Sequence, residues 1–181
     1  KVFLDTNVLA SSIATRGLCS ELLESVIHDH ELLTCQPVLT ELERVLADKL
    51  RLPDPVVAGF LGLLKAEGRV VESRTNPAIP IRDADDIPIL ACAIAGKADV
   101  FVTGDKELLN LGRIGNLPIV SPRELWLQLM GAEEPKSGSE KAKELKRRLE
   151  LPLSFSDWLV RAADNQIVSV IPLDVETVLA L

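Results

Sequence analysis

Short runs made wholly of apolar residues alternate along this chain with stretches of helical periodicity. Val2-Phe3-Leu4, Leu32-Leu33 and Val100-Phe101-Val102 are such runs. A strand with one face in water alternates apolar and polar residues, whereas a strand covered on both faces stays apolar throughout. Strands are therefore expected at residues 1–5, 31–35, 69–72, 99–103 and 118–120. Helical spacing marks 19–28 (Leu22, Leu23, Val26, Ile27), the segment from Pro37 (Val38, Leu39, Leu42, Val45, Leu46), 56–65, 85–95 and 106–111. Pro37 suits a first helical position. Ser121-Pro122-Arg123-Glu124 reads as a capping box opening a last helix. Thr6 and Asn7 offer caps to an apolar run, and Pro77 and Pro80 make 75–84 a loop. Strand–helix alternation of this kind predicts an α/β fold of three layers, α/β/α, around a central parallel sheet.

This domain is placed at residues 1–131. The chain has 181 residues, with 47% hydrophobic and 26% charged, so it has a globular composition with material beyond one domain. The polar stretch 132–140 reads as a linker. Residues 141–181 read as a partial α/β fragment: helices at 141–149 and 154–164, a strand at 167–171 and a helix start at 174–181. With 20 basic and 27 acidic residues the net charge is −7, which excludes a general nucleic-acid coat but not a local binding site. No apolar run approaches the roughly 20 residues of a membrane span. No secretory signal is visible, and a residue or two is expected before the opening strand-like run. Cys19, Cys35 and Cys92 form no CxxC pair and read as buried thiols of a reducing, cytoplasmic protein. His28 and His30 flank Asp29 and read as surface or capping groups.

The acids fall in an informative pattern. Asp5 follows the first strand, Glu41 lies early in the helix after the second, Asp83, Asp85 and Asp86 open a helix, and Asp105 follows a strand. In a doubly wound sheet, strand C-termini and the adjacent helix starts converge on one rim. Four separated segments then deliver carboxylates to one pocket. Clustered carboxylates repel each other, and a hard divalent cation such as Mg²⁺ or Mn²⁺ resolves that repulsion. Each acid also has a plainer reading, as a helix cap or a first-turn residue that favours the dipole. Asp5 is hardest to read so, because a carboxylate after Val-Phe-Leu is costly without a partner.

Four segments carry a family resemblance: Val2-Phe3-Leu4-Asp5-Thr6-Asn7-Val8-Leu9, Val38-Leu39-Thr40-Glu41-Leu42, Asp83-Ala84-Asp85-Asp86-Ile87-Pro88-Ile89-Leu90-Ala91-Cys92-Ala93 and Val102-Thr103-Gly104-Asp105-Lys106-Glu107-Leu108-Leu109. Together they resemble a PIN domain, and more narrowly the VapC-related toxins of bacterial toxin–antitoxin systems, over residues 1–131. The resemblance implies that Asp5, Glu41, Asp86 and Asp105 form a catalytic acidic quartet holding Mg²⁺ or Mn²⁺. It implies that Asn7 and Thr103 support them. Asp86 is chosen because Ala91 and Ala93 follow it at the family's spacing; Asp85 is the alternative. The implied activity is metal-dependent hydrolysis of RNA by water, with the 3′ oxygen leaving, so that a 5′-phosphate and a 3′-hydroxyl result. Implied partners are RNA, a cognate antitoxin protein and a second copy in a homodimer or higher oligomer. The stretches 149–159 and 168–174 resemble the middle of a second VapC-type PIN domain, but carry none of its acidic motifs.

Other readings remain open. A PIN-like scaffold could serve only binding or oligomerisation. A haloacid-dehalogenase or receiver domain also puts an Asp at a strand end, but the former wants a second Asp where Asn7 stands and the latter an acidic pair near the first strand. Arg16, Arg82, Lys97, Lys106 and Arg113 lie near expected loops or helix ends and read mainly as surface charges; Lys106, beside Asp105, is close enough in sequence to reach a phosphate. The basic run 141–148 reads as a solvated helix face or a nucleic-acid contact. The phenylalanines lie in apolar runs, so no stacking platform for bases is expected.

Overall fold

The computed structural model describes residues 1–131 except 16, 76 and 78. Arg16, the linker 132–140 and the fragment 141–181 lie outside the described residues. The elements run β1 (Val2–Leu4), α1 (Thr6–Ala14), α2 (Leu18–Asp29), β2 (Leu32–Thr34), α3 (Gln36–Arg44), a π-helical turn (Val45–Lys49), α4 (Asp54–Glu67), β3 (Arg69–Val70), α5 (Asp86–Ala95), β4 (Val100–Val102), α6 (Lys106–Leu111), β5 (Arg113–Ile114), β6 (Leu117–Val120) and α7 (Pro122–Leu129).

The six strands form one sheet in the order β3-β2-β1-β4-β6-β5. All neighbouring pairs are parallel except β5 with β6. With its helices this is the three-layer α/β/α arrangement. β1, β2 and β4 are buried at every position, as the apolar runs of β1 and β4 require; β2 buries Thr34 after its two leucines. Phe3 and Phe101 stack across β1 and β4, with ring centroids 5.4 Å apart, and neither is exposed to solvent.

The structure corrects the expected picture at the sheet's margins. The sheet is mixed, because Arg113–Ile114 folds back on Leu117 and Pro118 as a hairpin. Gly115 supplies the positive φ of 58° that such a two-residue loop needs at its first position. β3 is one of the two edge strands and both its residues are exposed, so not every strand is covered on both faces. The cap of α1 is neither Thr6 nor Asn7 but Asp5, whose side chain accepts the Thr6 N–H.

Strand order reverses at β1, which lies between β2 and β4. The crevice at such a switch point, outside the carboxyl ends of the strands, is where ligands enter open α/β sheets. Asp5, Cys35 and Thr103 directly follow the three central strands there.

Candidate active site

Asp5 is built into the rim by its backbone and held by three side-chain contacts. Its N–H donates to Val102 O (2.9 Å), and its carbonyl starts α1 by accepting from Val8 and Leu9. Its Oδ1 accepts the Thr6 N–H (2.8 Å); its Oδ2 accepts from Thr103 Oγ1 (2.6 Å) and Asn7 Nδ2 (2.9 Å). The carboxylate is nonetheless 5% exposed, and burial pushes its pKa up from 3.8 to about 6 against these hydrogen bonds. Glu41 and Asp105 add repulsion in the same direction.

Asn7 and Thr103 tie the first and fourth acidic segments together. Thr103 Oγ1 gives its proton to Asp5 and accepts from Asp105 N (2.9 Å) and Asn7 Nδ2 (3.2 Å), which uses the full capacity of a hydroxyl. Asn7 Oδ1 accepts the Gly104 N–H at 3.0 Å. Asp105 caps α6, its Oδ1 accepting from Glu107 N (2.6 Å) and Leu108 N (3.1 Å).

Asp86, the first residue of α5, is half-buried. Its carboxyl is pushed from 3.8 to about 7, first by burial and then by the charges of Asp5, Asp83, Asp105 and Glu41. Four separated segments thus bring their acids close enough to feel one another. Asp85 stands exposed beside Asp86, its N–H donating to Asp83 Oδ1 (2.9 Å) in a turn before the helix. Asp83 both shapes that turn and adds charge to the pocket, though it does not cap α5, whose N-cap is Asp85 with no side-chain cap bond.

Thr6 was not among the residues expected to serve the site. It is buried, and its Oγ1 donates to Glu41 Oε2 at 2.7 Å while its N–H holds Asp5. A Thr opening a helix reads as a cap, and no local signal announces a partner on α3. Of the basic residues, Arg82, Lys97, Lys106 and Arg113 are exposed, and the Arg82 N–H donates to Glu107 Oε1 (2.8 Å), fastening the loop before Asp83 to α6.

The donor set suits a hard divalent cation. It consists of carboxylate oxygens, and no ion pair among the described residues neutralises Asp5, Glu41, Asp86 or Asp105. Two of the four are held above the ordinary carboxylate range by burial and mutual repulsion, which a cation would relieve. Among the described residues no three His, Cys, Asp or Glu side chains stand close enough to enclose an ion. The fit is therefore to an ion taken by one or two carboxylates with its remaining positions filled by water, as Mg²⁺ prefers.

A mostly parallel α/β/α sheet with acids at its switch point belongs to the class of open α/β folds that take their ligand in that crevice. Residues 1–107 match the PIN domain model, and the chain belongs to the PIN domain family, whose fold is that of a nuclease. No individual curated protein matches the chain. No helix among the described residues is long and apolar enough to cross a membrane.

Proposed function

We propose that the chain is a Mg²⁺- or Mn²⁺-dependent endoribonuclease and the toxin of a toxin–antitoxin pair, with its nuclease unit at residues 1–131. Asp5, Glu41, Asp86 and Asp105 are the catalytic, metal-holding acids; Asn7, Thr103 and Asp85 support them. The observation that carries the reading is the electrostatic coupling of four acids from four separated segments at the carboxyl end of a PIN-family sheet. The toxin assignment rests on the narrower sequence resemblance, as do the antitoxin partner, the oligomer and the cytoplasmic setting.

The residues divide the work. Asp5 is fixed by three donors and gives the pocket its anchored negative charge. Thr103 and Asn7 keep Asp105 in register with it. Asp86, whose carboxyl is pushed up to about 7 by burial and by the neighbouring acids, would hold a cation in its ionised form. When bound, the ion supplies charge neutralisation to the phosphodiester and acidity to water.

The test is cleavage of RNA by purified, antitoxin-free protein with Mn²⁺ or Mg²⁺, beside EDTA and Asp5→Asn. Metal-dependent cutting that is lost in the variant, leaving 5′-phosphate ends, is expected. A binding and oligomerisation module is the second reading, favoured by the finding that no three acids among the described residues surround one point. No cutting and no Mn²⁺ binding would decide for that module.

A further inference from the structure

We infer that Thr6 is a positioning residue: its hydroxyl sets the carboxylate of Glu41 against Asp5 and so fixes the affinity of the acidic pocket for a divalent cation. The inference rests on the reading of that pocket as the cation site of a nuclease.

The four acids are not equally constrained. Asp5 accepts three hydrogen bonds and Asp105 accepts two backbone N–H groups as a helix cap. Glu41 is tethered at Oε2 by Thr6 Oγ1 at 2.7 Å, across 35 residues of sequence. Glu41 is half-buried, with a long side chain on α3, so without that tether it has room to turn toward water. Thr6 is buried at the first position of α1, where its backbone also serves Asp5. One residue thereby registers two acids that come from different elements, and α1 packs directly on α3. The hydroxyl opposes the repulsion between Glu41 and Asp5, which would otherwise drive the two carboxylates apart.

Hydrogen-bond partners of metal-binding side chains typically contribute about 10- to 100-fold to metal affinity. Thr6→Val keeps the branched shape, leaves the N–H to Asp5 intact and removes only the hydroxyl. The expected result, by calorimetric titration of Mn²⁺ into EDTA-stripped full-length protein, is a Kd about 10-fold weaker for Thr6→Val. Thr6→Ser, which keeps the hydroxyl, should stay within about 3-fold of the parent. In a Glu41→Ala background, Thr6→Val should change the Mn²⁺ Kd no further, because its effect runs through Glu41. With RNA, the loss should lessen as Mn²⁺ is raised. Unchanged Mn²⁺ binding in Thr6→Val, or an equal loss in the Glu41→Ala background, overturns the inference while leaving the nuclease reading intact. A parent protein that neither binds Mn²⁺ nor cuts RNA overturns both.

Discussion

Asp5→Asn should make the metal-free protein more stable at pH 8 and less stable at pH 4, while abolishing activity. The carboxyl of Asp5 is raised from 3.8 to about 6 by burial. An acid with a raised folded pKa is favoured when protonated. Its stabilising contribution is complete below pH 3.8 and is lost as the pH rises through about 6. The difference is roughly two pH units at about 1.4 kcal/mol each, so ionised Asp5 costs the fold up to about 3 kcal/mol at pH 8. Asparagine removes that charge but turns an N–H₂ toward Asn7 Nδ2 and Thr103 Oγ1, both of which now donate to Asp5 Oδ2. Losing those contacts costs about 1–2 kcal/mol. The net is a gain of about 1–2 kcal/mol at pH 8, roughly 3–8 °C in Tm. At pH 4 the gain from removing charge is nearly absent and a loss of about 1 kcal/mol remains. Urea melts in EDTA across pH 4–8 measure the difference directly. A stability difference that does not vary with pH would refute the reasoning. In the same preparation, Mn²⁺ at 100 times its Kd should stabilise the parent by about 2.7 kcal/mol and the variant hardly at all. RNA cleavage should fall by more than about 100-fold, the scale of losing one group of a preorganised charged site.

Other changes probe the frame around the site. Gly68→Ala would put a Cβ 2.6 Å from Leu64 O at the end of α4, so backbone must move; a loss of about 1–3 kcal/mol is expected in thermal melts. Ser121→Ala breaks the capping box with Glu124 and should cost about 1 kcal/mol while leaving Mn²⁺ affinity unchanged. Phe101→Ala removes a fully buried ring stacked on Phe3 and should cost about 3–5 kcal/mol by urea unfolding.

The parts of the fold that were legible in the sequence are those where burial acts on both faces of a strand. Val2-Phe3-Leu4 and Val100-Phe101-Val102 leave no polar position, and no other element explains that. Edge elements carry no such mark. β3 is Arg-Val with both residues exposed, and β5 is two residues whose pairing is set by the turn at Gly115. The π-helical turn at Val45–Lys49 was likewise invisible, because it continues the apolar spacing of α3 and differs only in which carbonyl each N–H reaches. The cap of α1 is neither of the residues whose type suggests it, Thr6 or Asn7, because Asp5, which ends the strand, accepts the Thr6 N–H.

The mutual approach of these acids was legible because topology gathers what the sequence scatters. Residues that follow parallel strands must share a rim, whatever their separation along the chain. The links between them were not, since the Thr6–Glu41 and Thr103–Asp5 contacts join side chains 35 and 98 residues apart. Those links decide what the cluster can do. Burial raises the carboxyls of Asp5 and Asp86, and among the described residues no cationic side chain pairs with either. A pocket left so acidic in a chain of net charge −7 repels a polyanion. For RNA to approach it, the negative charge of the pocket must be offset, and a divalent cation is the group whose chemistry its oxygens match.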